Sequence, residues 1–136
     1  MIDNQIILYK FIQINNNVNW KDISFYYKLS ENFIREFKDN VDWDLISEWQ
    51  LLSEDFIREF QNDVNWYWIS YSQKLSENFI REFKNNIDWT NISQKQKLSE
   101  NFIREFKYKF NWYSISIYQT LSEKFKKEFK YKLNGR

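Results

Sequence analysis

Residues 64–86 read VNWYWISYSQKLSENFIREFKNN, and four other stretches of the same length match this one. Tryptophan recurs at 20, 43, 66, 89 and 112, always 23 residues apart. Such self-similarity at a fixed period is the mark of a repeat architecture. It divides the chain into repeats 18–40, 41–63, 64–86, 87–109 and 110–132, preceded by a half-repeat at 1–17 and followed by a tail at 133–136. The whole reads as a single repeat domain over 1–136.

Each repeat predicts two short helices of roughly nine to eleven residues, too short to stand alone. In the second half of the first repeat, Ser30 is an N-cap, Glu31 sits at the positive helix end, and Leu29 and Ile34 form a hydrophobic staple. At about 100° per residue, Phe33, Ile34 and Phe37 fall on one stripe, with Glu31, Arg35 and Lys38 opposite. The Asp/Asn pairs that follow, such as Asp39-Asn40, suit a left-handed C-cap where Gly is missing. The first half starts at Asn19, Asp42, Asn65, Asp88 and Asn111, all capping residues, and places Trp20, Ile23, Ser24 and position 27 on its buried side. Strands would need period-two alternation and frequent turn residues, and neither is present. The expected fold is therefore an all-α solenoid or superhelix of five two-helix repeats with a half-repeat cap. In that cap Phe11 and Ile14 stand in for Ile34 and Phe37 one repeat on, while Lys124 and Lys126 make the opposite terminal face polar.

Composition then removes whole classes of chemistry. The chain has no Cys, His or Pro and one Gly, yet 13 Phe, 9 Tyr and 7 Trp. Disulfide frameworks and thiol or imidazole chemistry are excluded. Twenty Lys+Arg against 19 Asp+Glu leave +1, a poor electrostatic funnel for duplex DNA. No apolar run approaches the about 20 residues of a membrane span, and the first residues lack the basic start of a signal peptide, so an intracellular, non-membrane protein is expected.

Function is sought where repeats differ. Trp20, Ile23, Ser24, Leu29, Ser30, Glu31, Phe33, Glu36 and Phe37 have identical counterparts in all five repeats, whereas positions 21, 22, 25, 26 and their equivalents vary. On a helical wheel these four lie outward, and they carry Phe25, Tyr26, Leu45, Trp49, Tyr67, Trp68, Tyr71, Tyr113, Ile117 and Tyr118. The fourth repeat, with Thr90, Asn91, Gln94 and Lys95, reads as the solvated version of that face. Exposed apolar patches rich in Trp and Tyr mark protein contact surfaces, so these residues are the candidate partner-binding site. Two other readings remain open: self-association through the same face, and nucleic-acid binding by stacking aromatics with a basic C-terminal helix carrying Lys124, Lys126, Lys127, Lys130 and Lys132. The row Arg35, Arg58, Arg81, Arg104 and Lys127 is expected to be neutralised by glutamates four residues earlier. Glu36 and its equivalents are expected to pair with a neighbouring repeat or to cap its helix. Five copies of Ser24 and Glu36 read as scaffold, no cofactor or metal is implied, and an enzyme is not expected.

The alternation of DWDLIS (42–47) with LSEDFIREF (52–60) resembles the short aromatic tandem repeats of proteins from large DNA viruses and phages, over Asn19 to Lys132. That resemblance implies a viral or mobile-element setting, where small non-enzymatic proteins act by occluding a host protein. An inhibitor of a host defence complex, of the anti-CRISPR kind, is what it would lead one to expect.

Overall fold

A computed structural model describes residues 4–134. Among them the chain is all helix and turn, a helical-repeat solenoid. An opening helix α1 (Asn4–Ile14) precedes the pairs α2 (Trp20–Tyr26) and α3 (Glu31–Glu36), α4 (Trp43–Trp49) and α5 (Glu54–Glu59), α6 (Trp66–Ser72) and α7 (Glu77–Glu82), α8 (Trp89–Lys95) and α9 (Glu100–Glu105), and α10 (Trp112–Tyr118) and α11 (Glu123–Glu128). A last turn, α12, covers Lys130–Leu133. The chain forms two compact units, Met1–Asn65 and Trp66–Arg136. In the first α2 packs on α4; in the second α8 packs on both α6 and α10.

The caps act as their residue types require. Asn19, Asp42, Asp88 and Asn111 accept from the backbone N–H three residues on, and so does Ser30 and each equivalent serine, at 2.8–3.2 Å. The helices between them have only six or seven residues, shorter than the periodicity predicts. The second helices stop at Phe37 and its equivalents, which have φ near −106° and ψ near 27°, so the right-handed backbone closes the helix there. Asn40 and Val41 then donate back to the Phe37 carbonyl, and Asp39-Asn40 belongs to this turn rather than to a helix cap.

The core is built from second-helix Phe and Ile and first-helix Ile. Phe33, Ile34, Ile46, Phe56 and Ile57 are sealed in the first unit, and Ile69, Phe79, Ile80, Ile92, Phe102, Ile103, Ile115 and Phe125 in the second. The repeated tryptophans are not interior, as the wheel suggests, but half-buried lids. Trp43 lies 5.0 Å from Phe60 and Trp89 5.1 Å from Phe106, with the indole N–H of each donating to the Lys38 and Lys84 carbonyls. An indole N–H needs a polar partner, which keeps that edge near the surface.

Successive repeats are tied by side chains that complete each other's backbone. Ser24 donates to the Trp20 carbonyl at 2.7 Å and accepts from Asp42 N–H at 3.0 Å. Ser70 and Ser93 do the same for Asp88 and Asn111. From the second repeat on, the residue after each first helix is a glutamine, Gln50, Gln73, Gln96 or Gln119, and the first three are buried. Gln50 accepts from Leu29 N–H and donates to the Ser24 and Tyr27 carbonyls, at 2.7–2.9 Å. Gln96 and Gln119 repeat that pattern on the preceding repeat. These groups belong to the chain between helices, where no ladder can satisfy them.

The first cap differs from its sequence reading. Phe11 and Ile14 are exposed; Leu8 is buried instead, and the Tyr9 ring lies 5.1 Å from Phe33 and 5.6 Å from Phe37. With this face inward, its polar residues make contacts to the first repeat like those that Glu31 and Arg35 make to the second. Gln5 accepts from Ser30 N–H and donates to the Lys28 carbonyl, and the Tyr9 hydroxyl bonds Glu36. Burial and that carboxylate hold the Tyr9 phenol above its ordinary pKa. At the far end Lys126, where the other repeats have the sealed isoleucine, is exposed and pairs with Glu123 at 3.3 Å. Leu133 ends α12, and Asn134 is its C-cap.

Two stability predictions follow from this packing. Gln96→Leu strands one N–H and two carbonyls in the core and should cost about 2–4 kcal/mol, read from urea denaturation. Phe102→Ala should cost about 3–5 kcal/mol as a core deletion, and Trp89→Ala about half that; equal losses would restore the tryptophan to the interior.

Candidate interaction face

The varied positions of the first helices hold aromatic rings that touch one another while facing solvent. In the first unit Phe25 packs edge-on against Tyr26 at 4.7 Å and against Trp49 of the next first helix at 5.1 Å. Tyr26 is 73 % exposed and Trp49 55 %. In the second unit Tyr67 and Trp68 meet at 5.0 Å, Tyr71 lies 5.7 Å from Trp68, and Lys95 Nζ stands 4.3 Å from the Tyr71 ring. Tyr113, Ile117 and Tyr118 on α10 are also exposed, Tyr113 at 76 %. Edge-to-face pairs fix ring orientation at small entropic cost. A patch of this kind meets a partner already ordered.

Asp22 is exposed, but the equivalents of position 22 in the later repeats depart from the outward reading. Leu45 and Trp68 are half-buried, and Asn91 and Ser114 are buried. Asn91 donates to the Tyr67 carbonyl at 3.2 Å and Gln94 to Ser114 Oγ at 3.4 Å. Asn91 thus faces the preceding first helix, because α8 packs on α6 as well as on its own partner. The fourth repeat is thus only partly a solvated face: Asn91 is buried and Gln94 half-buried, while Thr90 and Lys95 are exposed. Of the ten candidate residues, Leu45 and Trp68 serve partly as packing, and the other eight are exposed.

The charged row pairs differently from the helix-local expectation. Arg35 Nε donates to both oxygens of Glu59 at 3.1 and 2.8 Å, not to Glu31. Arg81 and Arg104 reach Glu105 and Glu128 in the same way. Each guanidinium also covers a core phenylalanine of the following repeat, Arg35 lying 5.2 Å from the Phe56 ring. Glu31 instead accepts from the N–H and hydroxyl of Ser53, and Glu77 and Glu100 serve Ser99 and Ser122. The stacking of repeats puts these Glu and Arg side chains within hydrogen-bond reach of the next repeat's serine cap and carboxylate. The arginines Arg35, Arg81 and Arg104 are thereby neutralised and ill-suited to phosphate tracking.

The alternative basic residues sit on the last two helices. Lys124, Lys126, Lys127 and Lys130 are exposed, and Lys132 is half-buried, its Nζ 5.3 Å from the Tyr108 ring and 5.6 Å from Trp112. Tyr108 and Tyr131, 83 % and 79 % exposed, escaped the sequence reading because they follow the second helix, where the other repeats carry Asp or Asn. The change from Asp or Asn to Tyr at fixed repeat positions was the available signal. Among the described residues no cluster of acidic side chains could hold a metal, and no helix is long and apolar enough to cross a membrane.

The inter-repeat contacts carry a pH signature. The Ser122 hydroxyl holds the Glu100 carboxyl below its ordinary pKa, and Arg81 does so for Glu105. A lowered folded-state pKa adds stability above about pH 4.5 that is lost as pH falls through the lower value. Thermal midpoints should therefore drop in acid, and less steeply for Ser122→Ala and Arg81→Gln; an unchanged acid slope in both would contradict these pairings. No protein-family model matches this chain, and neither does any curated protein or solved structure.

Proposed function

We propose that this protein is a non-enzymatic binding module that grips a protein partner with the exposed aromatics of its first helices. The observation that carries this reading is the pre-formed edge-to-face contact of Phe25 with Tyr26 and Trp49 on neighbouring first helices, together with the large exposed area of Tyr26 and Trp49. Rings held in this way lose little freedom on binding, and Trp and Tyr dominate interface energies. The serine hydroxyls Ser24, Ser70 and Ser93 are occupied with backbone groups, which suits a scaffold. The resemblance to viral and phage tandem repeats supports occlusion of a host protein, such as a defence complex, as the mode of action.

The test is affinity capture from the native cell, with and without nuclease, using the natural chain and a variant carrying Tyr26→Ser, Trp49→Ser and Tyr118→Ser. A nuclease-resistant partner held by the natural chain and lost by the variant, at unchanged helical circular dichroism, is the expected result. Equal capture by the variant would remove these rings from the binding surface, and capture lost on nuclease treatment would replace the protein partner by a nucleic acid.

A further inference from the structure

The turn that follows each second helix changes character along the chain. It reads Lys38-Asp39-Asn40, Gln61-Asn62-Asp63 and Lys84-Asn85-Asn86, then Lys107-Tyr108-Lys109 and Lys130-Tyr131-Lys132. Two grooves of like construction allow the comparison. In the first unit a cavity of about 330 Å³ is lined by Arg35, Lys38, Asp39, Glu59, Phe60 and Asp63. In the second unit a cavity of about 250 Å³ is lined by Lys107, Tyr108, Glu128, Phe129, Tyr131 and Lys132. One step of three repeats turns Lys38 into Lys107, Asp39 into Tyr108, Glu59 into Glu128, Phe60 into Phe129 and Asp63 into Lys132. The floor and the glutamate are kept, while the rim changes from acidic to aromatic and basic.

The electrostatics of the second groove favour an anion. Glu128, the one carboxylate among its lining residues, is bound by Arg104 at 3.0 Å. Lys107 and Lys132 instead turn toward the Tyr108 ring, at 5.1 and 5.3 Å, and Lys109 and Lys130 flank them, both exposed. Tyr131, an exposed ring, lines the same groove as Lys107 and Lys132. The last turn is helical here, with Leu133 N–H donating to the Phe129 carbonyl at 3.0 Å, and this sets Tyr131 and Lys132 side by side on the rim.

We infer that the groove between Tyr108 and Tyr131 binds single-stranded nucleic acid, with Tyr131 stacking a base and Lys107 and Lys132 taking the adjoining phosphates. Stacking rings set beside lysines are how sequence-tolerant single-strand sites work. An acidic peptide would satisfy the lysines but leave the planar rings without a matching partner. This site is independent of the first-helix aromatics and does not rely on the protein-binding reading.

Fluorescence anisotropy of the full chain with labelled 12-nucleotide single strands of RNA and DNA tests it, beside a duplex of equal length and a glutamate-rich peptide. The expected result is binding of a single strand, weaker for the duplex and the peptide, with a log–log salt slope of about −1.4 to −2.8 for two to four neutralised phosphates. The variant Tyr108→Asp, Tyr131→Asn, Lys132→Asp installs the residues found three repeats earlier at Asp39, Asn62 and Asp63, a combination that this fold accommodates there. It should lose at least tenfold in affinity with unchanged helicity. The reverse set, Asp39→Tyr, Asn62→Tyr and Asp63→Lys, should raise the stoichiometry from one strand to two. Equal affinity of the first variant, a duplex bound as tightly as a single strand, or the peptide bound in place of the oligonucleotides would each overturn the inference.

Discussion

A helix of six or seven residues gains too few internal hydrogen bonds to repay its nucleation. Everything else in this protein answers that constraint. The carboxamides of Gln50, Gln96 and Gln119 satisfy backbone groups of the repeat before them, and Ser24, Ser70 and Ser93 hold the N–H that opens the next first helix. Within each unit a repeat thus finishes its neighbour's main chain. Among the described residues no buried side-chain nitrogen or oxygen lacks a partner, so the polar groups inside stabilise the stack instead of weakening it.

The same logic accounts for the ends. Tyr27 stands where later repeats have glutamine, and Gln5 with Tyr9 on α1 supplies bonds to Ser30 and Glu36 that a preceding repeat would otherwise make. At the other end Ser116 is exposed and turns its hydroxyl to the Tyr113 carbonyl, where Ser24, Ser70 and Ser93 also hold an N–H of the following repeat. Because framework duties fall on recurring residues, the remaining positions are free to differ. Phe25, Trp49 and Tyr113 occupy one set of such positions, and Tyr108 and Tyr131 another.

Much of the fold was legible in the residues. Tryptophan spacing revealed the repeat, Asn, Asp and Ser marked the helix starts, and the Phe33, Ile34 and Phe37 stripe marked the buried side. The candidate face was legible as a set of variable aromatic positions, though the wheel misplaced Leu45 and Trp68. A wheel drawn for a lone helix shows one inner side. A first helix that packs both on its own partner and on the preceding first helix has two. The tryptophans were overestimated as interior for a related reason: recurrence signals a structural role, and a lid bonded through its indole N–H recurs as faithfully as a sealed ring.

The amino-acid sequence by itself determined helix type, helix starts, repeat length and the buried phenylalanines and isoleucines. Caps and amphipathic stripes act over a few residues and need no knowledge of the neighbour. Only the tertiary structure decided the partners across repeats. Arg35 prefers Glu59 to Glu31, Glu31 serves Ser53, and Lys107 and Lys132 converge on Tyr108, because those distances are set by the step from one repeat to the next. That step comes from how whole side-chain layers fit together, and no rule of spacing along the chain contains it.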